Sequence, residues 1–145
     1  SVRHSFEGLC GLLKEGVRAV REYAPGAEIM LHVALGGQAD ESQRFFDAMA
    51  EYGVEYDIIG QSYYPEWHGT LEELEANAKA LVERYAKPLI VVEYRDYYVD
   101  IERIVRSLPD GLGRGTFIWE ATSPQWGKLF DEQGAATAAL DDYNR

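Results

Sequence analysis

Short apolar runs alternate along this chain with amphipathic segments of helical length, and that alternation is what most narrows its fold. Residues 28–34 (EIMLHVA), 56–59 (YDII), 89–93 (LIVVE) and 115–119 (GTFIW) read as strands of a buried sheet. Residues 6–23, 41–52, 70–85 and 100–107 repeat apolar side chains every three or four positions, as helices with one buried stripe do. In the first helix the stripe is Leu9, Leu12, Leu13, Val17 and Val20, with Pro25-Gly26 as its stop. In the second it includes Phe45, Phe46, Met49 and Ala50, and Gly53 is a natural C-cap. Thr70 and Glu73 make a capping box that pins the start of the third. A last helix is expected over residues 135–143. Strands and helices in this order imply a parallel sheet covered by helices and joined by right-handed crossovers. On the pattern alone, a small doubly wound sheet satisfies these constraints.

At 145 residues the chain reads as a single domain, 1–145, with no linker or low-complexity stretch. A domain of this size buries roughly 70% of its unfolded surface, so it needs no staples. The one cysteine, Cys10, falls in the apolar stripe of the first helix and reads as a small buried hydrophobe. A net charge of −11 argues against nucleic acid and anionic membranes, which require clustered Lys and Arg, and suits a neutral ligand. No apolar run is long enough to span a membrane. The chain shows neither an initiating Met nor a secretory leader, so it reads as processed or truncated and its compartment is open.

The chemistry concentrates in residues 57–74, DIIGQSYYPEWHGTLEEL. Here an apolar strand spills Ser62, Tyr63, Tyr64, Pro65, Trp67 and His68 into a loop ahead of the capped helix. Rings beside hydroxyls suit a sugar, whose C–H faces pack on aromatics while its rim exchanges hydrogen bonds. No cofactor signature accompanies them. A Gly-rich phosphate loop, a Gly-x-Ser-x-Gly elbow and a Cys/His pair are all missing from the sequence. The histidines His4, His32 and His68 lack zinc spacing, and residues 121–127 lack the oxygen-rich run that calcium needs. No metal is expected.

The 57–74 segment resembles the strand-six signature of family 53 glycoside hydrolases, the endo-β-1,4-galactanases, differing mainly where Gln61 replaces an apolar residue. The likeness extends along nearly the whole chain. Residues 16–21 resemble the family's fourth helix, 29–32 strand five, 89–93 strand seven and 117–120 strand eight; 129–131 with Gly134 resemble its closing segment. These galactanases are (βα)8 barrels, so the resemblance implies an α/β half of a TIM barrel running from helix four through strand eight. A half barrel leaves two open sheet edges and an unsealed inner face. A homodimer that closes a full barrel is the expected solution, and a separate N-terminal half is the other.

By resemblance Glu93 matches the nucleophile of a retaining hydrolase, and its place after Leu-Ile-Val-Val sets it at a strand's C-terminal end. Tyr63, Tyr64, Trp67 and His68 match the sugar-lining loop, with Ser62 beside them, and Trp119 resembles the ring that floors the sugar site. His32, at the end of strand five, fits either a substrate contact or a satisfied core histidine. Tyr94, Tyr97 and Tyr98 follow Glu93 and suit either sugar stacking or a protein contact. The family's acid/base glutamate lies on strand four, and no residue here matches it. In a homodimer Glu120 of the second copy is the candidate to replace it. The expected substrate is a β-linked plant polysaccharide. The alternative is an inactive half barrel that dimerises and at most binds carbohydrate. The family's members are usually exported.

Overall fold

The computed structural model describes residues 6–126 and 128–143, so His4 and Gly127 lie outside it. Helix α1 (Glu7–Tyr23) leads into β1 (Met30–Val33), followed by α2 (Ala39–Glu51) and β2 (Ile58–Tyr63). A single turn, α3 (Pro65–His68), and the longer α4 (Leu71–Tyr85) precede β3 (Leu89–Tyr94). Helix α5 (Tyr98–Arg106), a 3₁₀ turn (Pro109–Gly111), β4 (Gly113–Thr116) and α6 (Ala138–Tyr143) complete the order. The strands form one four-stranded sheet in the order β1-β2-β3-β4, and every pairing is parallel.

Local chemistry sets the helix ends. Thr70 Oγ1 accepts from the Glu73 N–H while the Glu73 carboxylate accepts from the Thr70 N–H, which completes the expected capping box. Helix α2 closes in a Schellman motif, with Gly53 at φ +66° and the Gly53 and Val54 N–H groups reaching back to Ala50 and Met49. The first strand and the last helix are shorter than the apolar pattern implies.

Two strands differ more. Gln61, Ser62 and Tyr63 belong to β2 and not to the following loop, because they continue the ladder opposite Val91, Glu93 and Tyr94. The irregular register between Gln61 and Ser62 skips Val92 and brings Ser62 opposite Glu93. Strand β4 starts earlier than expected, at Gly113, where a Cβ would run into the Val105 carbonyl; the strand therefore lies directly against α5. Beyond Thr116 the chain still tracks β3, with the Phe117 and Trp119 N–H groups donating to Val91 and Tyr94.

The two faces of the sheet differ. Leu31, Ile59, Leu89 and Val91 join the buried core with Phe46, Leu74, Leu81, Ile101 and Ile104 from the helices. Cys10 is buried in the same core with Leu13 and Val17 packed against it, whereas Leu9 and Leu12 of the expected α1 stripe are exposed, because the buried side of α1 runs through positions 10, 13 and 17. Ile58 and Ile90 are also buried but stand outside that core, because alternation turns them to the opposite face. Met30, His32, Gly60 and Ser62 share this second face. A Cβ on Gly60 would lie 2.7 Å from Met30 Sδ, so glycine makes room for the methionine.

Asp57 joins three segments. Its carboxylate accepts from the Ile29 N–H (2.6 Å) and takes Arg21 Nη2 of α1 on both oxygens (2.9 and 2.7 Å). The backbone donor and the guanidinium hold its carboxyl below its ordinary value of 3.8. A carboxyl depressed on folding stabilises fully above its unfolded value and loses that contribution as pH falls through the folded one. Asp57→Asn is therefore expected to lower stability near neutral pH by about 2 kcal/mol and to flatten its decline below about pH 4. Urea unfolding between pH 3 and pH 7 measures both effects, and parallel pH profiles for parent and variant would refute the assignment.

Gln61 departs from the apolar pattern and is fully buried. Its Nε2 donates to Ser42 Oγ at 3.2 Å, and Asn77 Nδ2 donates to the same oxygen at 3.1 Å. Gln61 Oε1 and Asn77 Oδ1 have no hydrogen-bonding partner among the described residues. An unpaired buried acceptor costs about 1–3 kcal/mol, whereas Ser42 keeps Asn77 when Gln61 is removed. Gln61→Leu is expected to raise the melting temperature by a few degrees, a shift that calorimetry resolves.

Candidate active site

The C-terminal ends of β2 and β3 bring the candidate groups together. Ser62 and Glu93 are register partners on the face away from the core. His32 Nε2 lies 2.7 Å from Ser62 Oγ, which links β1 to β2 on that face. Tyr64 leaves β2 in extended conformation, and Pro65 starts the α3 turn with the φ it already favours. The Tyr64 hydroxyl then donates to Glu93 Oε1 at 3.0 Å. Burial, the bond to Glu93 and the charges of Glu93 and Glu120 push the Tyr64 phenol far above its ordinary value, so it serves as a donor throughout the working pH range.

His68 shapes this arrangement from within the wall. It is buried, and its Nδ1 accepts the Tyr64 N–H at 3.0 Å. That bond requires an unprotonated Nδ1. Burial lowers the ring's pKa accordingly, with the Ser62 carbonyl and the Glu93 and Glu66 charges pulling the other way. Trp67 is 66% exposed and packs edge-on to Tyr64 at 5.8 Å.

Trp119 is 44% exposed, and its N–H donates to the carbonyl of Tyr94, the residue after Glu93, at 2.8 Å. Thr116 Oγ1 bonds Tyr94 and Glu102 on the helix side, Ile118 packs on the core, and Phe117 is exposed.

Tyr63 is not a lining residue. It is 1% exposed, turned into the helix layer, and its hydroxyl donates to the Gly69 carbonyl at 2.9 Å. Extension of β2 through residue 63 causes this, because consecutive residues of a strand face opposite ways. Burial pushes its phenol up to about 12. Tyr94 is likewise buried on the helix side against Thr116, and Tyr98 packs on the core at the start of α5. Tyr97 alone of that trio is exposed. Strand phase does not decide where Glu120 points, because the chain has left β4 and Glu120 adopts φ +46° in a turn.

The sequence pattern gave no role to Gly36 and Gly37. A Cβ on Gly36 would sit 2.7 Å from the Ser62 carbonyl oxygen, and one on Gly37 would run into the His68 carbonyl. Gly36 donates to Ser62 and accepts from Asn77, while Gln38 Nε2 donates to the Trp67 carbonyl. The loop after β1 thus buttresses the whole aromatic turn. Adjacent glycines shortly after a strand, here three and four residues past Val33, are the signal that could have found it. Among the described residues, no group of three or more His, Cys, Asp or Glu could hold a metal, and no helix is long and apolar enough to cross a membrane.

A parallel sheet with helices on one face and a carboxylate among rings at its strand ends places the chain with the TIM-barrel glycoside hydrolases. The family 53 catalytic domain from Ignisphaera aggregans matches it with a TM-score of 0.82 at 27% identity, covering 92% of this chain and 51% of that one. Residues 2–102 match glycosyl hydrolase family 53, and the chain belongs to that family. An endo-β-1,4-galactanase from Bacillus subtilis (strain 168) is 33% identical over 92% of this chain and 29% of its own length. An uncharacterized protein from Niallia circulans is 37% identical over 83% of this chain and 41% of its own length. The chain therefore spans less than half of either relative and about half of the solved domain.

Proposed function

We propose that this chain forms half of a (βα)8 barrel, helix four through strand eight, in a hydrolase of β-linked galactan or a similar plant polysaccharide. Glu93 is its retaining nucleophile. The observation that carries the reading is the Tyr64–Glu93 hydrogen bond at the C-terminal end of β3, on the face that the helical core leaves free. A carboxylate gripped by one phenol is oriented yet keeps its second oxygen for attack on an anomeric carbon. As the glycosyl ester forms, the carboxylate loses its charge and the sugar's leaving oxygen must gain a proton. General acid help of that kind is worth about 10²–10⁴-fold. Water later cleaves the ester with the same acid acting as base. His32, Ser62, Trp67 and Trp119 supply hydrogen bonds and ring faces to the sugar.

The acid comes with the strands that complete the barrel. On our reading a second copy supplies them, with its β4 beside β1 and its Glu120 as the candidate acid; an N-terminal half is the other source. Helix α1 favours completion in either form, since Leu9, Leu12 and Tyr23 are 43%, 75% and 81% exposed along one side of it. Light scattering at micromolar concentration distinguishes the two sources, because only self-completion doubles the mass.

The function is tested with 2,4-dinitrophenyl 2-deoxy-2-fluoro-β-galactoside. Its leaving group needs no acid, and its fluorine slows hydrolysis of the ester, so a retaining nucleophile becomes trapped. The expected result is one added glycosyl unit, mapped by mass spectrometry to Glu93. Binding of galactan oligosaccharides with no adduct would favour the inactive carbohydrate-binding half barrel instead.

A further inference from the structure

Arg95 stands two residues beyond Glu93, where β3 ends. Its Nε donates to Asp96 at 2.8 Å and its Nη2 to Glu66 of α3 at 3.1 Å. The guanidinium also lies over the ring of Trp126, 5.5 Å from its centroid. Asp96, in turn, takes Lys128 at 3.8 Å. Three segments therefore meet at one side chain: the turn that carries Tyr64, the loop that follows Glu93, and the loop that carries Trp119 and Glu120.

We propose that Arg95 is a positioning residue that clamps these three loops together and thereby holds Tyr64 against Glu93, a role that rests on Glu93 being the nucleophile. The alternative is an ordinary surface ion pair, worth little. Burial decides against it. The Arg95 side chain is 23% exposed, against 34% for Arg21 and 46% or more for the other ion-paired arginines among the described residues. Its geometry points the same way, since Nε and Nη2 each hold a different carboxylate and one face of the planar guanidinium lies over the Trp126 ring. A lysine could retain the charge but neither the fork nor the stacking face.

The clamp is tested by hydrogen exchange on the parent, Arg95→Lys, and Arg84→Lys as a control. Arg84 makes a comparable forked pair with Asp47, joining α4 to α2 on the helical surface. Arg95→Lys is expected to speed exchange in residues 64–69, 95–98 and 117–126 together, with the strands unchanged, while Arg84→Lys leaves all three loops as they were. Exchange that changes only within residues 95–98, or nowhere, overturns the clamp. Adduct formation on Glu93 is expected to slow about tenfold in Arg95→Lys at an unchanged melting temperature. An unchanged rate overturns the positioning role. If the parent forms no adduct, the reading of Glu93 fails, and the positioning role fails with it, while exchange still decides whether Arg95 joins the loops.

Discussion

Replacing Glu93 by Gln is expected to abolish glycosyl transfer while leaving the fold intact. The amide has nearly the same volume, and its carbonyl oxygen still accepts the Tyr64 hydroxyl that reaches Glu93 Oε1 at 3.0 Å. What disappears is the negative charge that, on the proposed mechanism, attacks the anomeric carbon. Loss of a covalent nucleophile typically lowers the rate on the order of 10⁴-fold or more. The fluoro-galactoside reports the loss directly, as absence of the adduct in a variant whose melting temperature matches the parent. Glu93→Gly adds a second check, because azide can enter the cleared space and attack the same carbon, yielding an α-glycosyl azide. Adduct formation persisting in Glu93→Gln, or azide without effect in Glu93→Gly, would move the nucleophile elsewhere.

Gly37→Ala is expected to have the largest effect on stability. Its methyl group would collide with the His68 carbonyl, a backbone atom that cannot swing aside, with the carbonyl carbon 3.1 Å away. Overpacking against backbone costs about 3 kcal/mol, or a fall of roughly 10 °C in melting temperature for a domain of this size. The displaced element is the α3 turn, so Tyr64 should also lose its aim on Glu93 and adduct formation should slow. Gly26→Ala is the contrasting case. A Cβ there meets no atom within 4 Å, and the substitution is expected to be close to neutral. A Gly37→Ala protein that melts with the parent would show that the loop after β1 yields, and that it does not buttress the site.

The alternation of strands and helices was legible because each element has its own period and its own stop signals. The Thr70 capping box and the Gly53 C-cap are interactions between near neighbours, and both form as the residues imply. Glu93 was legible too, since a carboxylate closing an apolar run lies at a strand end whatever its neighbours do. Tyr63 was not. Its phase depends on how far β2 continues, and β2 continues because β3 offers it a ladder through Tyr94. Arg95, Gly36 and Gly37 were missed for the same reason, as each acts on segments 26 to 41 positions away.

By itself, the order of residues determined the parallel α/β plan, the membership of family 53 and the carboxylate at the end of β3. Tertiary structure alone decided which aromatic rings face that carboxylate, that Tyr64 grips it, and that Tyr63 and Tyr94 turn into the core. The physical reason is range. Periodicity and capping are settled within a few residues, whereas the facing of a side chain beyond a strand's predicted end is settled by the neighbouring strand that pairs with it.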